Sequence, residues 1–152
     1  NVLKRFVDAS DDMDEHDIIV RFTADNPLNY SSISKSVFEE HLKNKSDYTH
    51  IHGLSHIVPE FINVGALREA LELTKIYFDK EHVTPFFRKN KVSFKILESP
   101  NNFMGLRPDL DPYLTIDTVE QLEAFETMFD DLQFIVDQQG KFTVAAHCLC
   151  DI

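Results

Sequence analysis

Short apolar runs alternate along the chain with segments whose apolar residues recur every three or four positions. Runs rich in Val, Ile and Phe are typical of strands, and the spaced apolar positions are typical of helices. The pattern predicts strands over 17–24, 47–51, 56–63, 93–98 and 113–116. It predicts helices over 2–10, 31–45, 64–76, part of 79–89 and 118–132, with Ser31 and Ser32 as candidate caps. Strands interleaved with helices indicate an α/β fold, a sheet with flanking helices.

Two acidic residues follow predicted strands where the apolar run stops. One run ends before Asp25, and Pro27, which lacks an N–H, cannot continue a central ladder. Asp117 closes the run 113–116 and opens a helix. Open α/β sheets bind ligands at the carboxyl ends of their strands, so this pattern suggests a site for a metal ion and phosphate. The alternatives are an Asx turn at Asp25 and a helix N-cap at Asp117, paired with Glu120.

Composition narrows the classes of protein. The 152 residues favour one domain with a real core, and the formal net charge is −11. Sequence-independent nucleic-acid binding needs a basic surface, so nucleic acid is not an expected partner. No apolar run is long enough to predict a membrane span. Cys148 and Cys150, the only cysteines, are expected to be free thiols, which fits a cytoplasmic location.

Four segments in order carry a resemblance to a known family. They are Asp25-Asn26-Pro27-Leu28, then Gly53-Leu54 with Pro59-Glu60-Phe61, then Glu81-His82-Val83-Thr84-Pro85, and finally Leu114-Thr115-Ile116-Asp117-Thr118-Val119-Glu120-Gln121-Leu122. Together they resemble the SpsF-like cytidylyltransferases of spore-coat polysaccharide biosynthesis, which are related to the synthetases of CMP-KDO and CMP-sialic acid. The similarity covers roughly 2–132, and the segment that begins at Glu81 is its most distinctive part.

The resemblance implies a nucleotide-diphospho-sugar transferase-like, Rossmann-like fold, with a mainly parallel sheet between helices. It implies transfer of CMP from CTP to a sugar or sugar acid, with Mg²⁺ as cofactor and pyrophosphate as the second product. Asp25 and Asp117 match the family's metal ligands, and Mg²⁺ is commonly held by one or two carboxylates plus phosphates. The family also implies a homodimer, with an interface expected in the segment 48–90. Phe86 and Phe87 are expected in the core or in that interface.

Further polar residues near the predicted strand ends are candidates for substrate binding. Each has a structural alternative: a solvent-facing strand position, a favourable charge at a helix start, an ordering histidine, or a surface arginine. An arginine inside a central strand would need a partner for its charge. The candidates are Arg21, Glu60, Glu81, His82 and Arg107.

One part of the family pattern does not occur here. The family begins with a strand and a basic loop that cradles CTP, and no such segment is found in this sequence. We therefore expect residues 1–132 to be the C-terminal portion of a cytidylyltransferase-like domain that lacks its N-terminal nucleotide-binding portion, an enzyme whose isolated chain need not be active. Residues 133–152 are expected to be a tail or linker.

Two other functions remain open at this point. A glycosyltransferase of the same fold would carry an Asp-x-Asp metal motif, and the nearest candidate, Asp109-Leu110-Asp111, lies between prolines rather than at a strand end. A noncatalytic dimerisation or regulatory module would not need the basic loop.

Overall fold

The computed structural model describes residues 1–100 and 114–131, together with the backbone of two short strands beyond them. Side chains are described for 1–100 and 114–127. The helices are α1 Val2–Ala9, α2 Ser31–Asn44, α3 Val64–Leu73, α4 Tyr77–His82, α5 Pro85–Lys89 and α6 Val119–Asp131. The strands are β1 Ile18–Arg21, β2 Tyr48–Ile51, β3 Glu60–Asn63, β4 Ile96–Ser99, β5 Ile135–Val136 and β6 Phe142–Thr143.

Four of these strands form a mixed sheet in the order β1-β3-β2-β4. Strand β3 pairs antiparallel with both β1 and β2, whereas β2 and β4 are parallel. Strands β1, β2 and β4 therefore run in one direction, and only β3 among the four opposes them. The α/β fold class with flanking helices is confirmed. Strands β5 and β6 pair antiparallel in a separate two-stranded sheet.

Helices cover both faces of the four-stranded sheet because side chains alternate along each strand. On one face, Tyr48 and Ile62 pack with residues of α1, α3 and α5. On the other face, Ile51 and Phe61 pack with α2 and α6. Phe86 and Phe87 belong to the first core and are 7% and 0% exposed. These two phenylalanines are thus core residues.

A tight turn joins α4 to α5 and determines where their side chains point. Val83 has φ 67° and ψ −67°, and the Thr84 N–H donates to the His82 carbonyl oxygen at 2.8 Å. These angles define a γ-turn with positive φ, which is rare and strained. The strain is increased at Val83 because a β-branched residue avoids positive φ. Pro85 then starts α5, because its fixed φ suits the first helical turn.

Three local predictions were wrong within the described residues. Residues 114–116 do not form a strand: 114 and 115 are bends, and Ile116 donates its N–H to the Asp25 carbonyl oxygen at 2.8 Å. Ser31 and Ser32 do not cap α2, whose N-cap is Tyr30 with no side-chain hydrogen bond. The first strand ends at Arg21 rather than at residue 24, and it is an edge strand because only β3 pairs with it. The Val20 side chain is 44% exposed.

Among the described residues, none of the helices combines the length and the apolar character needed to cross a membrane.

Candidate functional site

The carboxyl ends of β1, β2 and β4 lie along one edge of the sheet, and the amino end of β3 lies at the same edge. Arg21, the last residue of β1, is paired in register with Glu60, the first residue of β3. Because paired residues share a face of the sheet, both side chains lie on the face covered by α1, α3 and α5. The edge thus gathers charged residues that are distant in sequence.

Glu60 is the centre of a buried charge network. Its Oε2 accepts from Arg21 Nη1 at 2.7 Å, and its Oε1 accepts from Arg88 Nη2 at 3.0 Å. The Tyr48 hydroxyl also donates to Oε1 and accepts from Arg88 Nε and Nη2 at 3.2 and 3.1 Å. The Glu60 side chain is only 9% exposed, so these partners replace the water that a free carboxylate would bind.

Ring stacking and burial set the protonation states around the network. Tyr48 stacks between His50 and Phe87, with ring centroids 5.3 and 5.2 Å apart. Burial, reinforced by the charge of Glu60, raises the pKa of Tyr48 well above its ordinary value. Burial and then the Arg88 charge lower the pKa of His50. Burial opposes the charge of Arg88, but its contacts to Tyr48 and Glu60 outweigh this and raise its pKa. Tyr48 and His50 are therefore neutral at pH 7, while Arg88 is charged.

A cleft of about 310 Å³ opens in front of this network. Of the residues predicted from sequence, it gathers Arg21, Asp25, Glu60 and His82, which come from β1, the turn after it, β3 and α4. Arg88 lines the same cleft. Its other polar lining residues are Thr23, Asn26, Ser55, His56 and Thr84.

The segment that carries Asp117 is tied to the segment that carries Asp25. The Ile116 N–H donates to the Asp25 carbonyl oxygen at 2.8 Å, so Asp117 follows directly after this contact. Both aspartates are exposed, and neither carboxylate hydrogen-bonds to another described residue. Asp25 lines the cleft, whereas Asp117 does not. Exposed carboxylates without protein partners are the kind of hard oxygen ligand that Mg²⁺ takes. Among the described residues, no group of three or more potential ligands forms a fuller metal cage.

Helix α6 uses neighbours of Asp117 for its cap. The Gln121 side chain accepts from the backbone N–H groups of Asp117 and Thr118 at 2.6 and 2.9 Å, and the Gln121 N–H donates to Thr118 Oγ1 at 3.3 Å. This is a capping box formed by Thr118 and Gln121. The alternative pairing of Asp117 with Glu120 is therefore wrong, and the Asp117 carboxylate is left for another role.

Of Glu81, His82 and Arg107, His82 alone lines the cleft among the described residues. Glu81 does not line the cleft, and its Oε2 lies 3.8 Å from the Asn1 amino group. His82 packs against Phe78 with ring centroids 4.3 Å apart at the mouth of the cleft. Arg107 lies outside the described residues, as does the Asp109-Leu110-Asp111 segment.

The sequence prediction did not single out Tyr48, His50 or Arg88. Tyr48 and His50 are two positions apart on one predicted strand, so their shared face could have been inferred. Arg88 follows Phe86 and Phe87 in a predicted helix. A charged residue next to two expected core residues could have indicated that Arg88 needs a partner. Its contact with Glu60 depends on the turn at Val83, which has no local signature.

Comparison with known proteins defines the class of this fold and site. The cytidylyltransferase family model matches residues 1–146. The chain therefore belongs to the cytidylyltransferase family. The solved structure of a cytidylyltransferase from Leptospira borgpetersenii superposes with a TM-score of 0.71 at 27% identity, over 85% of this chain and 55% of that one.

Two curated proteins are similar to this chain in sequence. The uncharacterized protein MJ1063 of Methanocaldococcus jannaschii is 35% identical over 93% of this chain and 60% of its own length. The spore coat polysaccharide biosynthesis protein SpsF of Bacillus subtilis is 28% identical over 84% of this chain and 53% of its own length. The chain thus spans little more than half the length of these relatives.

Proposed function

We propose that this chain contributes the acceptor side and metal ligands of an enzyme that transfers CMP from CTP to a sugar or sugar acid for surface polysaccharide biosynthesis. One observation carries the proposal: the cleft at the strand ends gathers Arg21, Asp25, Glu60 and His82 from separate elements in a member of the cytidylyltransferase family. The similarity to SpsF supports the link to polysaccharide biosynthesis.

In the proposed reaction a hydroxyl oxygen of the sugar attacks the α-phosphorus of CTP. The bond between the α-phosphorus and the oxygen that bridges to the β-phosphorus breaks, pyrophosphate leaves with that electron pair, and the hydroxyl proton is released to solvent. Mg²⁺ held by Asp25 and Asp117 would offset the charge on the phosphate groups. Arg21 would attract the negative charge, and His82 would contact the substrate at the cleft mouth. Glu81, which does not line the cleft, and Arg107 stay candidates for substrate binding.

Isothermal titration of this chain with CTP in the presence of Mg²⁺ tests the proposal. We expect binding that requires Mg²⁺ and is reduced about tenfold or more in Asp25→Ala and in Asp117→Ala, because each loses a charged ligand. Asp12→Ala, which removes an exposed carboxylate of the α1–β1 loop, is the matched control and should bind normally. Equal affinity in Asp25→Ala, Asp117→Ala and Asp12→Ala would overturn the metal assignment. Absence of binding by the folded wild-type chain would overturn the assignment of nucleotide binding to it.

We also propose a cytoplasmic homodimer. Leu73, Ile76 and Tyr77 are 50%, 56% and 75% exposed within the segment 48–90. Apolar side chains clustered at the surface favour association with another protein surface. Sedimentation equilibrium should give twice the chain mass for the wild type and a monomer for Ile76→Ser combined with Tyr77→Ser. A wild-type monomer at micromolar concentration would contradict the dimer.

A further inference from the structure

Two arginines at the cleft share one buried carboxylate. Arg21 on β1 and Arg88 on α5 both donate to Glu60, at 2.7 and 3.0 Å. Their side chains are 17% and 44% exposed, and that of Glu60 is 9% exposed. Two guanidinium charges against one carboxylate leave one positive charge at this point of a chain whose formal net charge is −11. The guanidinium pair, rather than the cleft as a whole, is therefore attractive to anions, because the Asp25 carboxylate also lines the cleft without a hydrogen bond to either arginine.

Both guanidinium groups retain donors that the network does not use. Arg21 Nε is buried and has no hydrogen-bond partner among the described residues. Arg88 uses Nε and Nη2 for Tyr48 and Glu60, and its Nη1 makes no hydrogen bond within the part of the chain that the structure describes. Arg21 Nε is shielded from a ligand in the cleft, whereas Arg88 carries its unused donor on a side chain that is 44% exposed, which suits a ligand that supplies acceptors.

Both oxygens of the Glu60 carboxylate accept hydrogen bonds within the network. Oε1 of Glu60 accepts from Tyr48 and Arg88, and Oε2 accepts from Arg21. Tyr48 is 0% exposed and is held by stacking on Phe87. Glu60 therefore fixes the two guanidinium groups through its oxygens, and a ligand in the cleft meets the arginines rather than the carboxylate.

We propose that Arg21 and Arg88 form an oxyanion-binding subsite, and that Glu60 and Tyr48 are positioning residues that hold the two guanidinium groups toward the cleft. A phosphate of the nucleotide and a carboxylate of the acceptor both offer oxygens that suit guanidinium donors. The identity of the substrate that carries the anion rests on the proposed function, but anion binding at these arginines does not.

Arginine side-chain NMR tests the subsite directly on the ¹⁵N-labelled chain, without CTP or Mg²⁺. Pyrophosphate represents the phosphate source, D-glucuronate represents the carboxylate source, and D-glucose is the neutral control. We expect one of the two anions to shift the Nε–H signals of Arg21 and Arg88, and D-glucose to shift neither. The anion that does so identifies the source. Absence of a shift with both anions would overturn the subsite.

Two charge-matched variants show whether the arginines themselves are responsible. Arg88→Gln should raise the Kd for the bound anion about tenfold or more, because it removes charge-assisted hydrogen bonds. Lys35→Gln removes one positive charge from an exposed position on α2 and should leave the Kd unchanged. Equal effects of the two variants on the Kd would show that only the overall charge of the protein attracts the anion, and would contradict the subsite.

The positioning role of Glu60 makes a prediction opposite to that of simple electrostatics. Glu60→Gln removes a negative charge from the cleft. If Glu60 only neutralised charge, its loss would strengthen anion binding. We expect weaker binding instead, with faster solvent exchange of the Arg88 Nε–H. Tighter binding would overturn the positioning role. Tyr48→Phe keeps every charge and serves if Glu60→Gln does not fold; unchanged anion affinity in it would overturn the role of Tyr48.

The subsite and the proposed nucleotidyl transfer can fail separately. Asp25→Ala should still bind the anion, because it leaves Arg21 and Arg88 intact, although it weakens Mg²⁺-dependent CTP binding. Loss of anion binding in Asp25→Ala would contradict the subsite as drawn. CTP binding without any anion response at the arginines would overturn the subsite and leave the nucleotide proposal in place.

Discussion

At the scale of single residues, the chain stabilises one buried carboxylate by several donors at once. Breaking a buried ion pair by removing one partner is strongly destabilising, because the other charge stays buried without compensation. Glu60 with Arg21, Arg88 and Tyr48 is such a unit, and its members come from β3, β1, α5 and β2. The network therefore fixes the relative positions of those elements as well as the charge of the cleft.

The stability of the fold should depend on pH through His50. Its pKa is lowered in the folded state by burial and by Arg88, whereas in the unfolded chain it is near 6.5. Between these two pKa values the unfolded state binds more protons, so the free energy of unfolding falls as pH drops below about 6.5 and levels off below the folded pKa. Above pH 6.5 this contribution is fully present.

Urea unfolding between pH 8 and pH 5 measures this effect. His50→Gln should show a smaller loss of stability over that range than the wild type, and His16→Gln, at an exposed position, should follow the wild type. His41, 1% exposed, also has a pKa lowered chiefly by burial, so some pH dependence remains in His50→Gln. Identical pH profiles of His50→Gln and the wild type would contradict the role of His50.

At the scale of elements, local patterns located the secondary structure and nonlocal contacts decided the site. Helices and strands were predictable where apolar spacing is regular, as in Val64–Leu73 and Glu60–Asn63. The reversed direction of β3 and the edge position of β1 could not be predicted, because strand pairing depends on residues far apart in sequence. Asp25 could be chosen from the strand end, and Arg21 because a charge inside a strand needs a partner. Arg88 could not, because its direction follows from the turn at Val83.

The strained turn at Val83 allows a prediction of sign. Val83 is 0% exposed and has φ 67°, so Ala and Gly both lose its buried side chain, but only Gly adopts this φ without strain. We expect the free energy of unfolding of Val83→Gly to exceed that of Val83→Ala by about 1 kcal/mol. Urea unfolding of the two variants measures this difference. The usual order, with Ala more stable than Gly, would show that this residue is unstrained.

The start of α6 separates a structural residue from a candidate metal ligand. Thr118→Ala should lower the free energy of unfolding by about 1 kcal/mol, because it removes the Oγ1 that accepts from the Gln121 N–H. Asp117→Ala should change stability by less than about 0.5 kcal/mol, because its carboxylate makes no hydrogen bond to a described residue. A larger loss in Asp117→Ala than in Thr118→Ala would indicate that Asp117 serves the fold.

At the scale of the whole molecule, the net charge of −11 opposes the compact state. Salt screens this repulsion, with a Debye length of about 30 Å at 0.01 M and about 8 Å at 0.15 M. The melting temperature should therefore rise when NaCl is increased over this range. At equal ionic strength Mg²⁺ should raise it further in the wild type than in Asp25→Ala. Equal melting temperatures in NaCl and MgCl₂ would contradict specific cation binding.

The network around Glu60 also sets a constraint on the order of folding. The Arg21–Glu60 contact spans 39 positions of the chain and the Glu60–Arg88 contact spans 28. Contacts of this separation require loop closure before they contribute any stability, so they form late and slowly compared with helix contacts. During synthesis, β1, β2 and β3 leave the ribosome before Arg88 does. The Glu60 carboxylate therefore gains its contact with Arg88 only after α5 has been synthesised. The cleft is completed after β1, β2 and β3 are available to pair.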